Sequence, residues 1–284
     1  MKLFLAVNNT RQQLDLIRQE AYPNLLISYH YFRKGYAEFL DYTQGWQPEN
    51  MIIDSGAFSV WTKNGRIDID MYIQYCKETL EYKQTGNNMY FVNLDVLPGN
   101  FGRYPSQEER EHSAEQGWKN MEYMENHGVK VIHVFHQHED FSWLRKLADH
   151  QEYIGLSPAN DESQASKNRW LAKCFAMLKA SRKTHGFAVT SVKTLLTFPF
   201  YSGDSSSWIQ GGKYASIPTF KDGKIKSIAF KDKENLSMLM DRVQGKDIDI
   251  LTDYMPRLRQ GIRAYRAAGD YITKVWEERG IKWD

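Results

Sequence analysis

Four side chains stand where chemistry would be done. Asp54 ends the apolar run "MIID", Asp95 lies in "NLDVLPG", Gln137 in "HQHED" and Asp204 in "YSGDSSSW". Each closes or follows a short apolar run of the kind that forms a buried strand. Singly, each has a structural reading: Asp54 as a helix N-cap, Asp95 as the anchor of a loop, Asp204 as part of a Ser-rich turn. At the same end of one barrel they form a candidate catalytic constellation, because barrel enzymes draw their reacting groups from the carboxyl ends of several strands. In "IIDSGAFSVW", Asp54 is followed by Ser-Gly-Ala and then Phe58. Such small residues form turns, and they also let a flat ligand lie against the backbone. Gly155 in "GLSPAN" offers the same close approach, or it marks a strand-to-helix turn with Pro158 and Asn160. Phe58 is either a stacking ring or core. His133, His136 and His138 invite a metal reading, but no HxxEH-type helix accompanies them, and polar histidines near the mouth are expected instead.

The elements expected to position these residues alternate along the chain. Strands are predicted at 2–7, 25–29, 51–54, 89–96, 129–135, 153–157, 186–191 and 198–202. Helical patterns cover 10–21, 33–43, 68–85, 106–127, 139–150, 161–184 and a short piece near 192–197. Ser106 and Glu109 have the spacing of a capping box, and Gly128 follows that helix. Eight strands, each followed by a helix or return loop, predict an α/β fold, a (β/α)8 TIM barrel. An open doubly wound sheet is the alternative, but the Gly-rich phosphate turn after the first strand is missing. Beyond the eighth strand, 213–231 alternates around Asp222-Gly223 as a hairpin insertion, and 247–284 is expected to be a helical tail on a single domain. The hairpin carries Lys213, Lys221, Lys224, Lys226 and Lys231, and the tail carries Arg257, Arg259, Arg263 and Arg266. Beside the mouth these are either solvated surface or phosphate contacts.

The chain has 284 residues, about the length of one barrel, with 42% apolar, 25% charged and 14% aromatic residues. Its 17 Tyr and 8 Trp supply a large core and suit stacking on planar ligands. A net charge of +2 does not by itself identify a nucleic-acid binder. Two distant cysteines, Cys76 and Cys174, exclude a disulfide framework and fit a reducing compartment. No signal peptide or membrane span is expected, so the sequence predicts a soluble, cytoplasmic protein.

The ordered strand ends resemble those of the tRNA-guanine transglycosylases. "DSGAFS" is similar to their DSGGFQ-type motif. "NLDV", "VFHQHED", "YIGLSPAN", "HGFAVTS" and "FYSGDSSSW" follow in the family's order over roughly residues 1–210. The family's Cys-x-Cys-x-x-Cys zinc cluster is missing, and the Lys-rich hairpin stands in its place. The chain more closely resembles the compact phage and bacterial relatives, the DNA 7-deazaguanine transglycosylases. This resemblance implies exchange of guanine in DNA for a 7-deazaguanine base, such as 7-cyano-7-deazaguanine, with no cofactor. It implies Asp204 as the nucleophile and Asp54 as the general acid/base. It implies Asp95 as the reader of the guanine edge, Gln137 and the backbone at Gly155 and Leu156 as carbonyl ligands, and Phe58 and Phe187 as stacking rings. DNA contacts are expected from Lys213, Lys221, Lys224, Lys226, Arg257 and Arg263. The implied partners are DNA and the free base, with a homodimer or a helper protein as further possibilities and the host cytoplasm as location if phage-encoded. The alternatives are a zinc-free tRNA enzyme, a glycoside or nucleoside hydrolase, and an inactive binding subunit.

Overall fold

A computed structural model describes residues 1–7, 10–34, 45–100, 103–180, 182–214, 216–232, 234, 236–237, 248–251 and 253–283. Nine short strands make one all-parallel sheet: β1 (Lys2–Ala6), β2 (Asn24–Ser28), β3 (Asn50–Asp54), β4 (Asn88–Val92), β5 (Val131–Ile132), β6 (Val134–His136), β7 (Tyr153–Ser157), β8 (Lys183–Gly186) and β9 (Ser202–Ser205). Their order is β5-β4-β3-β2-β1-β9-β8-β7-β6. Only His133 separates β5 from β6, so the two outer strands are consecutive pieces of one stave. The sheet is a nearly closed barrel, as the sequence pattern predicts for a TIM-like (β/α)8 fold.

Outside lie α1 (Arg11–Gln19), α2 (Tyr29–Phe32), α3 (Ala57–Trp61), α4 (Ile69–Glu81), α5 (Gln107–Asn126), α6 (Phe141–His150), α7 (Gln164–Met177) and α8 (Val192–Thr197). Their starts are written in the sequence. Asp68, Asp140, Ser163 and Ser191 each accept a backbone N–H as N-cap, and Ser106 with Glu109 completes both arms of the capping box. The helix expected over 33–43 falls largely outside the described residues. The helix expected over 161–184 ends at Met177, because Leu178 is already extended.

Two strands lie elsewhere than their apolar runs suggest. The seventh stave is 183–186, not 186–191, and the eighth is 202–205, not 198–202. "KTHG" and "SGDS" carry no apolar face, because their inward side chains are hydrogen-bonded to each other. Phe198 and Phe200 pack instead into the core behind the barrel wall.

Inside the barrel the side chains form layers. Lys2 donates to Asn50 (2.7 Å), Asn50 to Asn24 (2.9 Å) and Asn88 to Asn50 (3.0 Å), closing the floor. Tyr90, Tyr153 and Tyr201 meet edge to face beside this floor. Phe4, Leu26, Ile52, Val92 and Val134 form a dry middle layer, which leaves the carboxyl ends of the strands to carry polar groups.

The C-terminal segment is more than a tail. After a short helix α9 (Gln210–Lys213) and a hairpin, α10 (Tyr254–Glu278) packs on β1, α1 and α8 and fills the place of the eighth outer helix. Trp276 donates to the Leu195 carbonyl (2.8 Å). At Gly261 an added Cβ would lie 2.4 Å from the Trp208 carbonyl oxygen, so only glycine allows this approach. The hairpin, β10 (Ser216–Lys221) and β11 (Lys224–Ala229), turns at Asp222 and Gly223 with φ of 53° and 68°, as a two-residue primed turn requires.

Candidate active site

The mouth of the barrel gathers Asp54 from the end of β3, Asp204 from β9, and Asp95 from the loop three residues beyond β4, which ends at Val92 and not at 96. Asp54 ends β3, opposite Ser28 in register. Its Oδ2 accepts the Gly56 N–H at 3.0 Å. Burial, then the negative charge of Asp95, pushes Asp54 from an ordinary 3.8 to about 7; Asp204 acts in the same direction and the Gly56 N–H opposes. Asp54 therefore holds a proton part of the time near neutral pH. The three carboxylates are thus close enough for Asp54 to feel the other two.

Gly56 has a physical reason within the fold itself. Its φ is 82°, and a Cβ there would come within 2.6 Å of His30 Cβ and 2.7 Å of Ser28 Oγ. The small residue after Asp54 is thus required by the turn and by α2, without any ligand.

Asp95 meets His136, whose Nε2 lies 3.2 Å from Asp95 Oδ2. Burial by itself lowers His136, but Asp95, with Glu139 behind it, outweighs this and holds the imidazole above its ordinary value. Burial also lifts Glu139 to about 7, with His136 opposing. Asp95 Oδ1 is buried and has no hydrogen-bond partner among the described residues. A cleft of about 500 Å³ opens beside it, lined by Trp61, Arg66, Ile67, Leu94 and Asn120 among others, which is within the size range of ligand sites.

Asp204 is held from one side. Its Oδ1 accepts the Ala188 N–H at 2.9 Å and lies 3.4 Å from His185 Nε2. Ala188 adopts φ 54°, an uncommon conformation for a residue with a side chain, which aims this N–H at the carboxylate. Phe187 packs into the barrel top, its ring 4.4 Å from that of His185.

Other predicted residues are placed differently. Gln137 is buried with both ends of its carboxamide engaged: Oε1 accepts the Ala159 N–H (3.1 Å) and Nε2 donates to Ser166 (3.2 Å). Strand alternation sends its neighbour His136 into the mouth in its stead. At Gly155 the space a Cβ would need is taken by Phe187, 2.7 Å away, and its N–H is bound to the His133 carbonyl (2.8 Å). Leu156 is fully buried behind the wall, and its carbonyl accepts the Phe187 N–H. His133 faces α5 and bonds Asn93 at 2.9 Å, and burial lowers it to about 4. His138 lies at the rim, 3.4 Å from Glu162. Phe58 is exposed on α3, tilted beside Trp61.

The basic residues depart furthest from expectation. Tyr265 bonds Ser205 at the carboxyl end of β9 (3.0 Å), and Thr273 accepts from the Met1 amino group at the floor (2.8 Å). Helix α10 thus descends from mouth to floor. The hairpin tip rests near its lower end, with Gly223 against Tyr271, so Lys221 and Lys224 stand away from the mouth, and Lys226 is exposed along the outer wall. The side chain of Lys213 lies outside the described residues. Arg263 pairs with Glu20 at 3.2 Å, beside Arg259 at 2.9 Å, and Arg257 donates to the Asp253 carbonyl while covering Phe230. Arg259 and Arg263 thus fasten α10 to the barrel at the end of α1, and Arg257 ties the start of α10 to Phe230. The mouth has other cations: Arg33 and Lys63 lie close enough to His30 to hold it, together with the larger effect of burial, below its ordinary value. Tyr31, Phe58, Tyr104 and Tyr214 are exposed rings in the segments leaving β2, β3, β4 and β9.

No known protein-family model matches this chain, and no curated protein matches it. Among the described residues, no group of three or more His, Cys, Asp or Glu side chains is placed to hold a metal ion, and no helix is long and apolar enough to cross a membrane.

Proposed function

We propose that this protein is a base-exchanging transglycosylase that replaces guanine in DNA by a 7-deazaguanine base through a covalent Asp204–sugar ester. The observation that carries this function is the meeting of Asp54, Asp95 and Asp204 at one mouth, with Asp54 raised to about 7 by burial and its acidic neighbours. Retaining cleavage of a glycosidic bond needs one carboxylate as nucleophile and one carboxyl group that gives and then takes a proton. Asp204 Oδ2 attacks C1′ as the bond from C1′ to the base nitrogen breaks, and Asp54 donates its proton to the departing guanine. Asp54, now a carboxylate, takes the ring N–H proton of the incoming base. That nitrogen attacks C1′ and releases Asp204. A group titrating near neutrality suits both halves.

Asp95 Oδ1, buried and without a partner among the described residues, would accept N–H donors of the guanine edge, and His136 would stand where the base carbonyl falls. Charge-assisted bonds of this kind discriminate strongly against an edge that lacks the donors. Phe187 on one side and the exposed Phe58 on the other suit a flat base. The target nucleotide must leave its stack, at a cost of a few kcal/mol. The exposed rings around the mouth would receive the unstacked strand, with Arg33 and Lys63 near its phosphates.

The test is exchange of labelled guanine, with DNA and tRNA assayed side by side. Exchange in DNA that is lost in Asp204→Ala supports the proposal. Exchange in tRNA alone would assign the zinc-free tRNA activity instead, and release without re-insertion would assign a hydrolase.

A further inference from the structure

His185 is fully buried inside the barrel and takes no direct part in the chemistry above. Its Nδ1 lies 2.8 Å from Ser202 Oγ, and the same Oγ lies 2.6 Å from the Tyr153 hydroxyl. Among the described residues its Nε2 has no aligned hydrogen bond, and Asp204 Oδ1 stands 3.4 Å from it. Four polar groups from β7, β8 and β9 thus run in a line from the tyrosine layer up to the mouth.

Only one arrangement of protons gives every link a donor and an acceptor if His185 is neutral and faces a carboxylate. Asp204 accepts, so Nε2 carries the ring hydrogen and Nδ1 must accept. Ser202 then donates to Nδ1, and its remaining lone pairs accept from Tyr153. Burial pushes Tyr153 well above the ordinary tyrosine value, which keeps its hydroxyl a donor.

We propose that the Tyr153–Ser202–His185 chain is a positioning device for the nucleophile of this barrel. It fixes His185 as the Nε2–H tautomer, and with the Ala188 N–H it pins Asp204 Oδ1 so that Oδ2 faces the sugar. This role rests on the transglycosylase function proposed above. The chain orients and transfers no proton. After attack, Oδ1 is the ester carbonyl oxygen and keeps both donors. When the second base displaces the ester, the same donors stabilise the carboxylate that departs. The 3.4 Å gap is of the kind that tightens when substrate is bound.

The test compares His185→Gln with His185→Asn. A glutamine amide reaches the position of Nε2 and keeps a donor toward Asp204, whereas asparagine reaches only the Ser202 side. Single-turnover adduct formation on a guanine-containing DNA oligonucleotide should fall about 100-fold in His185→Asn and less than about tenfold in His185→Gln. Free guanine should bind the two variants equally, since both lose the same ring contact with Phe187. Ser202→Ala serves as a second break in the chain should His185→Asn fail to fold, with a loss of about tenfold. Imidazole nitrogen NMR of the unmodified protein should show His185 as the Nε2–H tautomer. Equal rates for the Gln and Asn variants, or a protonated Nδ1, would overturn the chain while leaving the transglycosylase standing. Absence of any adduct with the unmodified protein, in DNA or RNA, would overturn both.

Discussion

Replacing Asp54 with Asn should make the protein more stable at neutral pH while removing its activity. Asp54 is an acid whose folded form is harder to ionise, moving from an ordinary 3.8 to about 7. Below about pH 4 the side chain is neutral in both folded and unfolded chains and costs nothing. Between about pH 4 and pH 7 the unfolded chain gives up the proton that the folded chain keeps, so folding loses stability as pH rises through this window. Above it the cost is constant, with a ceiling of about 4 kcal/mol. Asp54 is only partly buried at the mouth, and solvent screens the penalty, so about 1–3 kcal/mol is expected. Asparagine keeps an oxygen for the Gly56 N–H and carries no charge. Melting curves at pH 4, 6 and 8 for both proteins would show the variant about 2–6 °C higher at pH 8, with the difference shrinking toward zero at pH 4. A variant that melts no higher at pH 8, or whose advantage does not change with pH, would refute the idea that Asp54 is held against ionisation by burial and by its two carboxylate neighbours.

Further outcomes follow from other contacts. Gly155→Ala should displace Phe187, whose ring lies 2.7 Å from the new methyl group, and weaken guanine binding by about tenfold in titration calorimetry. Glu20→Ala should cost about 1–2 kcal/mol in denaturant unfolding by freeing Arg259 and Arg263, yet leave DNA affinity unchanged, since those arginines serve the fold. Reversing Lys221 and Lys224 to Glu should alter DNA affinity less than reversing Arg33 and Lys63; equal effects in a low-salt binding assay would place the strand on the hairpin instead.

Much of the fold and of the mouth is legible in the sequence, and what is not has physical causes. "MIID" is an unbroken apolar run with one carboxylate at its end, so β3 and Asp54 stand out together. Ser106, Glu109 and Asp222-Gly223 are local signals whose geometry needs no tertiary partner. The seventh and eighth staves were hidden because their inward side chains, His185, Ser202 and Asp204, satisfy one another. A polar strand buried by mutual hydrogen bonding carries no apolar period. His185 lies before the apolar run at 186–191, so no strand pattern singles it out. Gln137 and His136 differ by one residue, and in a strand one residue exchanges the two faces. The lysines and arginines are neighbours in sequence, but α10 carries its arginines to Glu20 and the hairpin tip lies down the outer wall.

The most direct measurement is intact-mass analysis of the protein after denaturation in the presence of a guanine-containing DNA oligonucleotide. An adduct of protein plus oligonucleotide minus guanine, mapped by peptide sequencing to Asp204 and missing in Asp204→Ala, is the expected result. A protein that keeps its unmodified mass with DNA and with RNA, under conditions where free guanine binds, would contradict the nucleophile and the base exchange built on it.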